Sequence, residues 1–298
     1  MSAGSDYKFS FSLLKLKEVR KAKITGDKIR LAIIEENYNS EHASLAGLNL
    51  PDRGYNSEDD SFDHGTSVVG IAAGKEFTLT EGEESLTYPR GVAQGATVEV
   101  FPITSREDPS SLLTALTAIT SGPKFDVVSI SFGFAEEPKK FAEEIRKQVN
   151  DLISNGTIIF AAAGNNRDHS YVRYPASLRN VLSVASLTPG AELSKHARTK
   201  DVDIYCYGHN VAAPSGCGEQ LSVVDGSSMA TPAVAGLACL ALQCAQKQDY
   251  NGLCHVEKMK KVINVKMRDG QEMYALNPSP YLLRAFKPGG ITEFEGLQ

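Results

Sequence analysis

Short apolar runs alternate along this chain with longer stretches whose apolar positions recur at helical spacing, the pattern of strands connected through helices. Residues 29–34 read as a buried strand announced by the turn Thr25-Gly26-Asp27, and 97–102, 125–131, 157–162, 180–187 and 202–207 read as further strands. Between them, 110–120 are predicted to be helical. Residues 136–154 are predicted to form a surface amphipathic helix on Phe141, Ile145, Val149 and Leu152, closed by Asn155-Gly156. Residues 233–244 read as a helix almost without charge, and 256–262 as one more. Upstream, Leu13, Leu14, Leu16, Val19 and Ala22 suggest a short amphipathic helix packed on the body of the protein. Residues 75–90 read as an insertion-like loop whose Glu81, Glu83 and Glu84 face water rather than a metal, because a hard cation needs several convergent oxygens. The tail from residue 278 is loop-rich. No internal repeat is visible, and no stretch is expected to reach transmembrane length.

Composition narrows this picture. With 298 residues and 42% hydrophobic content, the chain can bury one large α/β core without a second one. A net charge of −5 offers no general attraction to phosphate backbones or anionic bilayers, so neither nucleic acid nor membrane is an expected partner. Residues 1–30 run against the average, with eight Lys/Arg and three Asp/Glu, and read as a solvated basic tail. The five cysteines are odd in number, lie in the C-terminal third and contain no Cys-x-x-Cys pair. Cys239 and Cys244 sit inside the apolar helix pattern, so the expectation is reduced, buried thiols in a cytosolic type of chain.

Four stretches carry candidate chemistry. Gly226-Ser227-Ser228-Met229-Ala230-Thr231-Pro232 opens the apolar helix. A serine among small residues at a helix start is placed like a nucleophile, since unpaired N–H groups there favour negative charge on an attacked carbonyl oxygen. The same string also suits a plain Ser/Thr N-cap. Asp63-His64-Gly65-Thr66 is followed by small and apolar residues at helical spacing. Glu35, Glu36 and Asn37 end the first strand, where α/β folds place their chemistry. Ala163-Gly164-Asn165-Asn166 ends the strand at 157–162.

Together these motifs resemble those of the subtilisin-like serine proteases, from about residue 26 to about residue 263. The resemblance implies a three-layer α/β/α sandwich around a mainly parallel central sheet, with the site at the C-terminal ends of the strands. It implies a peptidase domain over 26–298, with 1–25 as a basic extension packed on it. It also implies a serine endopeptidase acting on polypeptides without a cofactor. Ser228 would attack the peptide carbonyl, His64 would act as general base and then acid, and the Asn165 amide with the Ser228 N–H would hold the oxyanion of an acyl-enzyme mechanism. Glu35 stands where the family has an aspartate, and Glu36-Asn37 replace a small hydroxyl residue and a glycine. A glutamate can accept the imidazole N–H. Its extra methylene shifts the carboxylate by about 1.5 Å, and misplacements of about 1 Å can cost on the order of 10²-fold in rate. The competing reading is a pseudoprotease kept as a binding or regulatory module. An esterase-type hydrolase is disfavoured, since its Gly-x-Ser-x-Gly elbow is missing.

For substrate binding, the resemblance implies that Ser131, Phe132 and Gly133 pair with an extended substrate backbone, and that Gly164 and the stretch 167–176 line the pocket for the P1 side chain. Phe134 falls where relatives commonly have glycine and either reshapes the P1 or P4 pocket or is an ordinary surface aromatic. Arg173 or His169 in that pocket would favour an acidic P1 residue, whereas Asp168 would favour a basic one. No calcium site carries over, because the matching neighbourhood reads His42-Ala43-Ser44 without an aspartate. Val211-Ala212-Ala213-Pro214-Ser215 resembles the family's Ala-Pro-Gly turn with serine in place of glycine. The thirty residues before the first strand are fewer than the inhibitory propeptide of secreted relatives. Either the sequence is that of a secreted form with its signal and propeptide removed, or, as the favoured expectation, it is a cytoplasmic form restrained by a regulatory domain or an inhibitor.

Overall fold

The computed structural model describes residues 14, 16–52, 58–81, 84–165, 171–190, 192–195, 197, 201–216, 220–246 and 254–263. Their elements run α1 (Lys17–Lys21), β1 (Arg30–Glu35), a 3-10 turn (Ala43–Leu45), α2 (Asp60–Ala73), β2 (Phe77–Glu81), β3 (Glu84–Tyr88), β4 (Thr97–Pro102), α3 (Pro109–Ser121), β5 (Val127–Ile130), α4 (Ala142–Ser154), β6 (Ile158–Ala162), β7 (Leu182–Leu187), β8 (Ile204–Tyr207), β9 (Val211–Pro214), β10 (Leu221–Val224), α5 (Ser227–Gln246) and α6 (Val256–Ile263). Six strands pair in the order β4-β1-β5-β6-β7-β8, and every neighbouring pair is parallel. Parallel neighbours need long crossovers, and helices α2 to α4 lie in those before β6, while no helix falls between β6, β7 and β8 among the described residues.

β1 shows how the layers are divided. Leu31 and Ile33 pack with Val68, Ile71, Val234 and Leu237 of α2 and α5. Ala32 and Ile34 pack with Leu112, Leu116, Ile145 and Val149 of α3 and α4. The two-residue period therefore builds the expected α/β/α sandwich, and it turns Glu35 to the α2 and α5 side along with residues 31 and 33. Each such aliphatic side chain, once buried, contributes roughly 1.5–3 kcal/mol.

α5 fills the centre of its layer. Residues 229–245 are all buried, while Ser228 is only half-buried. Gly236 allows the helix to approach closely, since a Cβ there would come within 2.7 Å of Val92 Cβ and 3.1 Å of the Ala72 carbonyl oxygen. The helix has 20 residues and contains an 18-residue stretch of mean hydropathy 1.5, long and apolar enough to cross a membrane, which corrects the expectation that no stretch reaches that length. In the fold 94% of that stretch is buried.

Other sequence expectations shift in detail. Residues 75–90 are not a loop: β2 and β3 form an antiparallel hairpin with Phe77 opposite Tyr88 and Leu79 opposite Leu86. Among them Phe77 and Tyr88 are buried while Leu86 is exposed, so only the base of the hairpin packs inward. Glu83 and the tail from 278 lie outside the described residues. The amphipathic helix after Glu136 starts only at Ala142, because Pro138 first makes a turn in which its carbonyl accepts the N–H groups of Phe141 and Ala142. Residues 211–214 are a strand, β9, paired antiparallel with β10. Leu14, Leu16 and Val19 are buried in the α2 and α5 core around α1, and Leu13 lies outside the described residues. Cys206, Cys239 and Cys244 are buried, with Cys244 Sγ donating to the Leu240 carbonyl at 2.9 Å, Cys254 is half-buried, and Cys217 lies outside the described residues. Burial pushes the Cys206 thiol up to about 12, which makes it a packing group rather than a reactive one.

Candidate active site

Glu35 ends β1 with a fully buried side chain facing His64 of α2, and its Oε2 lies 3.0 Å from His64 Nδ1. The imidazole retains 17% exposure, so it joins the buried carboxylate to the cleft. His64 sits one turn into α2 rather than at its first residue, since the helix begins at Asp60. The approach is close in distance and oblique in angle: neither Oε2 nor Nδ1 has a well-formed hydrogen bond. Glu35 Oε1 accepts the N–H of Glu36 at 3.0 Å. Burial is the largest influence on this carboxyl and opposes its charge. Its position beside His64, the Glu36 N–H and the more distant Arg106 together outweigh burial and hold it below the usual glutamate range.

Gly65 makes this approach feasible. A Cβ there would lie 1.7 Å from the Asn37 carbonyl oxygen and 3.0 Å from Glu35 Cγ. Nearby, Thr66 Oγ1 accepts the Asn39 N–H at 2.8 Å and donates to the Phe62 carbonyl at 2.6 Å, tying α2 to the segment after β1. Gly65→Ala is therefore expected to push α2 off that segment and to lower stability by about 3 kcal/mol, readable by urea denaturation.

The second half of the site joins the end of β6 to the start of α5. Asn165 Oδ1 accepts both the N–H of Ser227, at 2.7 Å, and its hydroxyl, at 2.9 Å. Ser227 Oγ also accepts the Gly164 N–H at 3.2 Å. With Oδ1 engaged, Asn165 turns its Nδ2 the other way, towards Gly226 and Ser228. Gly226 has φ +138°, and a Cβ there would stand 2.7 Å from Asn165 Nδ2 and 3.2 Å from Ser228 Oγ. Glycine thus leaves open the space between that amide and that hydroxyl. Ser228 lies in the first turn of α5, where backbone N–H groups have no helical acceptor. The sequence reading assigned nothing to Ser227 or Gly226. The Ser-Ser pair and the preceding glycine were the available signal.

These groups share one cleft of about 740 Å³, lined by His64, Ser131, Phe132, Gly133, Phe134, Gly164, Asn165, Arg173, Ser227 and Ser228. Glu36 and Arg106 form another part of its wall. Arg106 donates from its backbone N–H to Glu36 Oε1 at 2.8 Å and from Nε to Oε2 at 2.7 Å, a pair not anticipated from sequence. Phe132 is nearly buried, and Phe134 packs edge-on against it with ring centres 6.0 Å apart. The segment expected to be an open edge is partly occupied by the chain itself. Phe134 exchanges both backbone hydrogen bonds with Tyr174, and the Gly133 carbonyl accepts Arg173 Nη1 at 2.9 Å. Asp168 and His169 lie outside the described residues. His42, at the position compared with the calcium site, is buried and caps the 3-10 turn by accepting the Ser44 N–H on Nδ1 at 3.1 Å.

Comparison with known proteins gives concordant findings. The family model described as "Peptidase_S8: Subtilase family" matches residues 26–278. The chain is 25% identical over 270 residues to the major intracellular serine protease of Bacillus subtilis (strain 168), spanning 84% of this chain and 80% of that protein. It is 25% identical over 269 residues to the minor extracellular protease Epr of the same organism, spanning 88% of this chain but only 40% of that protein. Among solved structures, the prenylagaramide maturation protease PagA has the same fold, with a TM-score of 0.73 at 20% identity over 92% of this chain and 99% of that one.

Proposed function

Because this chain belongs to the subtilase family and is a subtilisin-like serine peptidase, we propose that it is an endopeptidase working through Ser228, His64 and Glu35. His64 takes the Ser228 proton as the hydroxyl attacks a peptide carbonyl, then returns it to the leaving amine, and water hydrolyses the acyl-enzyme. Glu35 holds the imidazole tautomer and stabilises the imidazolium. The observation that carries this reading is the 3.0 Å approach of a fully buried Glu35 carboxylate to His64 in the cleft that contains Ser228. A charge that deep in the fold is costly unless it is matched.

Asn165 Nδ2 and the Ser228 N–H are the proposed oxyanion donors, with Ser227 fixing the amide by holding Oδ1. Gly226→Ala would put a methyl between these donors and the nucleophile. We expect kcat to fall by about 10²–10³-fold, the size of loss that subtilisin itself shows for its asparagine donor, with KM changing little. Steady-state kinetics on a peptide substrate reads this directly.

A second reading has its own support. The oblique Glu35–His64 geometry is what a site that has drifted from catalysis would look like, leaving a pseudoprotease used for binding or regulation. Measured turnover of any peptide that disappears in Ser228→Ala decides for the enzyme. For location, the buried thiols and the similarity to a protein named as an intracellular protease favour an intracellular site of action, against one relative named as extracellular. Restraint by a regulatory domain or inhibitor, and a basic N-terminal extension over 1–25, belong to the same proposal.

A further inference from the structure

The cleft contains two arginines in different electrostatic situations. Arg106 is matched by Glu36 through two hydrogen bonds. Arg173 has no carboxylate partner among the described residues, and its one side-chain hydrogen bond there goes to a neutral acceptor, the Gly133 carbonyl. Two glycines let it lie where it does. A Cβ on Gly164 would come within 2.9 Å of Arg173 Cγ and Cδ, and one on Gly133 within 2.9 Å of Arg173 Cβ. The Arg173 N–H bonds the Ala163 carbonyl at 3.1 Å. The side chain therefore stretches across the gap between the ends of β5 and β6, against Gly164, the residue before Asn165, and in the same cleft as Ser228. A guanidinium has five N–H donors, and a carboxylate can take two of them in a charge-assisted pair roughly twice as strong as a bond to a neutral carbonyl.

We propose that Arg173 makes this peptidase selective for an aspartate or glutamate immediately before the cleaved bond, the carboxylate drawing the guanidinium off Gly133 and so freeing that carbonyl to pair with the substrate main chain. The inference rests on the peptidase reading above. Selection and release of the strand edge are one event: a substrate without the acid has to displace Arg173 with nothing offered in exchange. Non-acidic substrates are then penalised twice, once by the missing ion pair and once by a blocked edge.

The test is a peptide set varied only at the residue before the cleaved bond, assayed on the parent protein, Arg173→Gln, Arg173→Lys and Arg173→Glu. The parent is expected to show kcat/KM at least 10-fold higher for aspartate or glutamate than for asparagine, glutamine or leucine. Arg173→Gln levels the series, lowering turnover of acidic peptides and raising that of leucine peptides. A purely structural arginine would lower all of them together. Arg173→Lys keeps a weaker acidic preference, and Arg173→Glu moves it to lysine or arginine. A parent preference for phenylalanine or leucine, unchanged in Arg173→Gln, would overturn the proposal. Fluorophosphonate labelling of Ser228 needs no side chain at that position and separates the two levels. Labelling without acidic selectivity defeats only the Arg173 proposal, whereas neither labelling nor cleavage of any peptide defeats the peptidase reading and this proposal with it.

Discussion

Ser228→Ala is expected to lower kcat on peptide substrates by on the order of 10⁶-fold, the loss known for the nucleophile of subtilisin, and to remove any covalent adduct with a fluorophosphonate. The fold is expected to survive the change. Ser228 is the half-buried residue in an otherwise buried stretch of α5, and its hydroxyl has no hydrogen bond to the rest of the described structure. Removing one oxygen there should alter stability by no more than about 0.5 kcal/mol. Ser227→Ala behaves differently. It removes a hydroxyl that bonds Asn165 and Gly164 and so loosens the proposed oxyanion donor without touching the proposed nucleophile. Thermal unfolding beside kinetics separates the two serines, because only loss of Ser227 moves both.

Glu35→Gln is expected to lower kcat/KM by on the order of 10⁴-fold at neutral pH, the size of loss seen when a triad carboxylate becomes an amide and the imidazole tautomer is no longer fixed. The same variant carries a stability signature with a definite sign. The folded protein holds the Glu35 carboxyl below its usual range, so the unfolded chain binds the proton first as pH falls. Glu35 therefore contributes stability that is fully present above the usual glutamate range and is lost as pH drops through the depressed folded value. Glu35→Gln should flatten that part of the acid-side stability curve, measured by urea unfolding from neutral to acidic pH. Glu35→Asp keeps the charge but withdraws it by about one C–C bond from a contact now at 3.0 Å, with an expected loss of about 10²-fold in rate.

Much of the candidate site was legible because its pieces are local. The Ser228, His64 and Asn165 motifs each lie within a few residues, and the ends of β1 and β6 follow from apolar runs that stop at a polar residue. The face taken by Glu35 follows from the two-residue period through Leu31 and Ile33. What the sequence hid depends on distance in the chain or on angles. Arg173 reaches the Gly133 carbonyl across a separation of 40 residues, and the Glu36–Arg106 pair spans 70. No periodicity encodes such contacts. The β2–β3 hairpin was missed because threonines and glutamates around Phe77, Leu79, Leu86 and Tyr88 read as a polar loop, although the apolar residues alternate as in paired strands; only Phe77 and Tyr88 at its base are buried, and Leu86 is exposed. The obliqueness of the Glu35–His64 contact is an angular property that residue identities do not carry.

The most direct test of the proposed Ser-His-Glu triad is fluorophosphonate labelling of the purified protein, read by intact mass beside Ser228→Ala and Glu35→Asp. One adduct on the parent and none on Ser228→Ala is the expected result, and it would mean that Glu35 supports an activated serine. No adduct on the parent while Glu35→Asp becomes labelled would contradict it, because glutamate would then have disabled the site that aspartate restores.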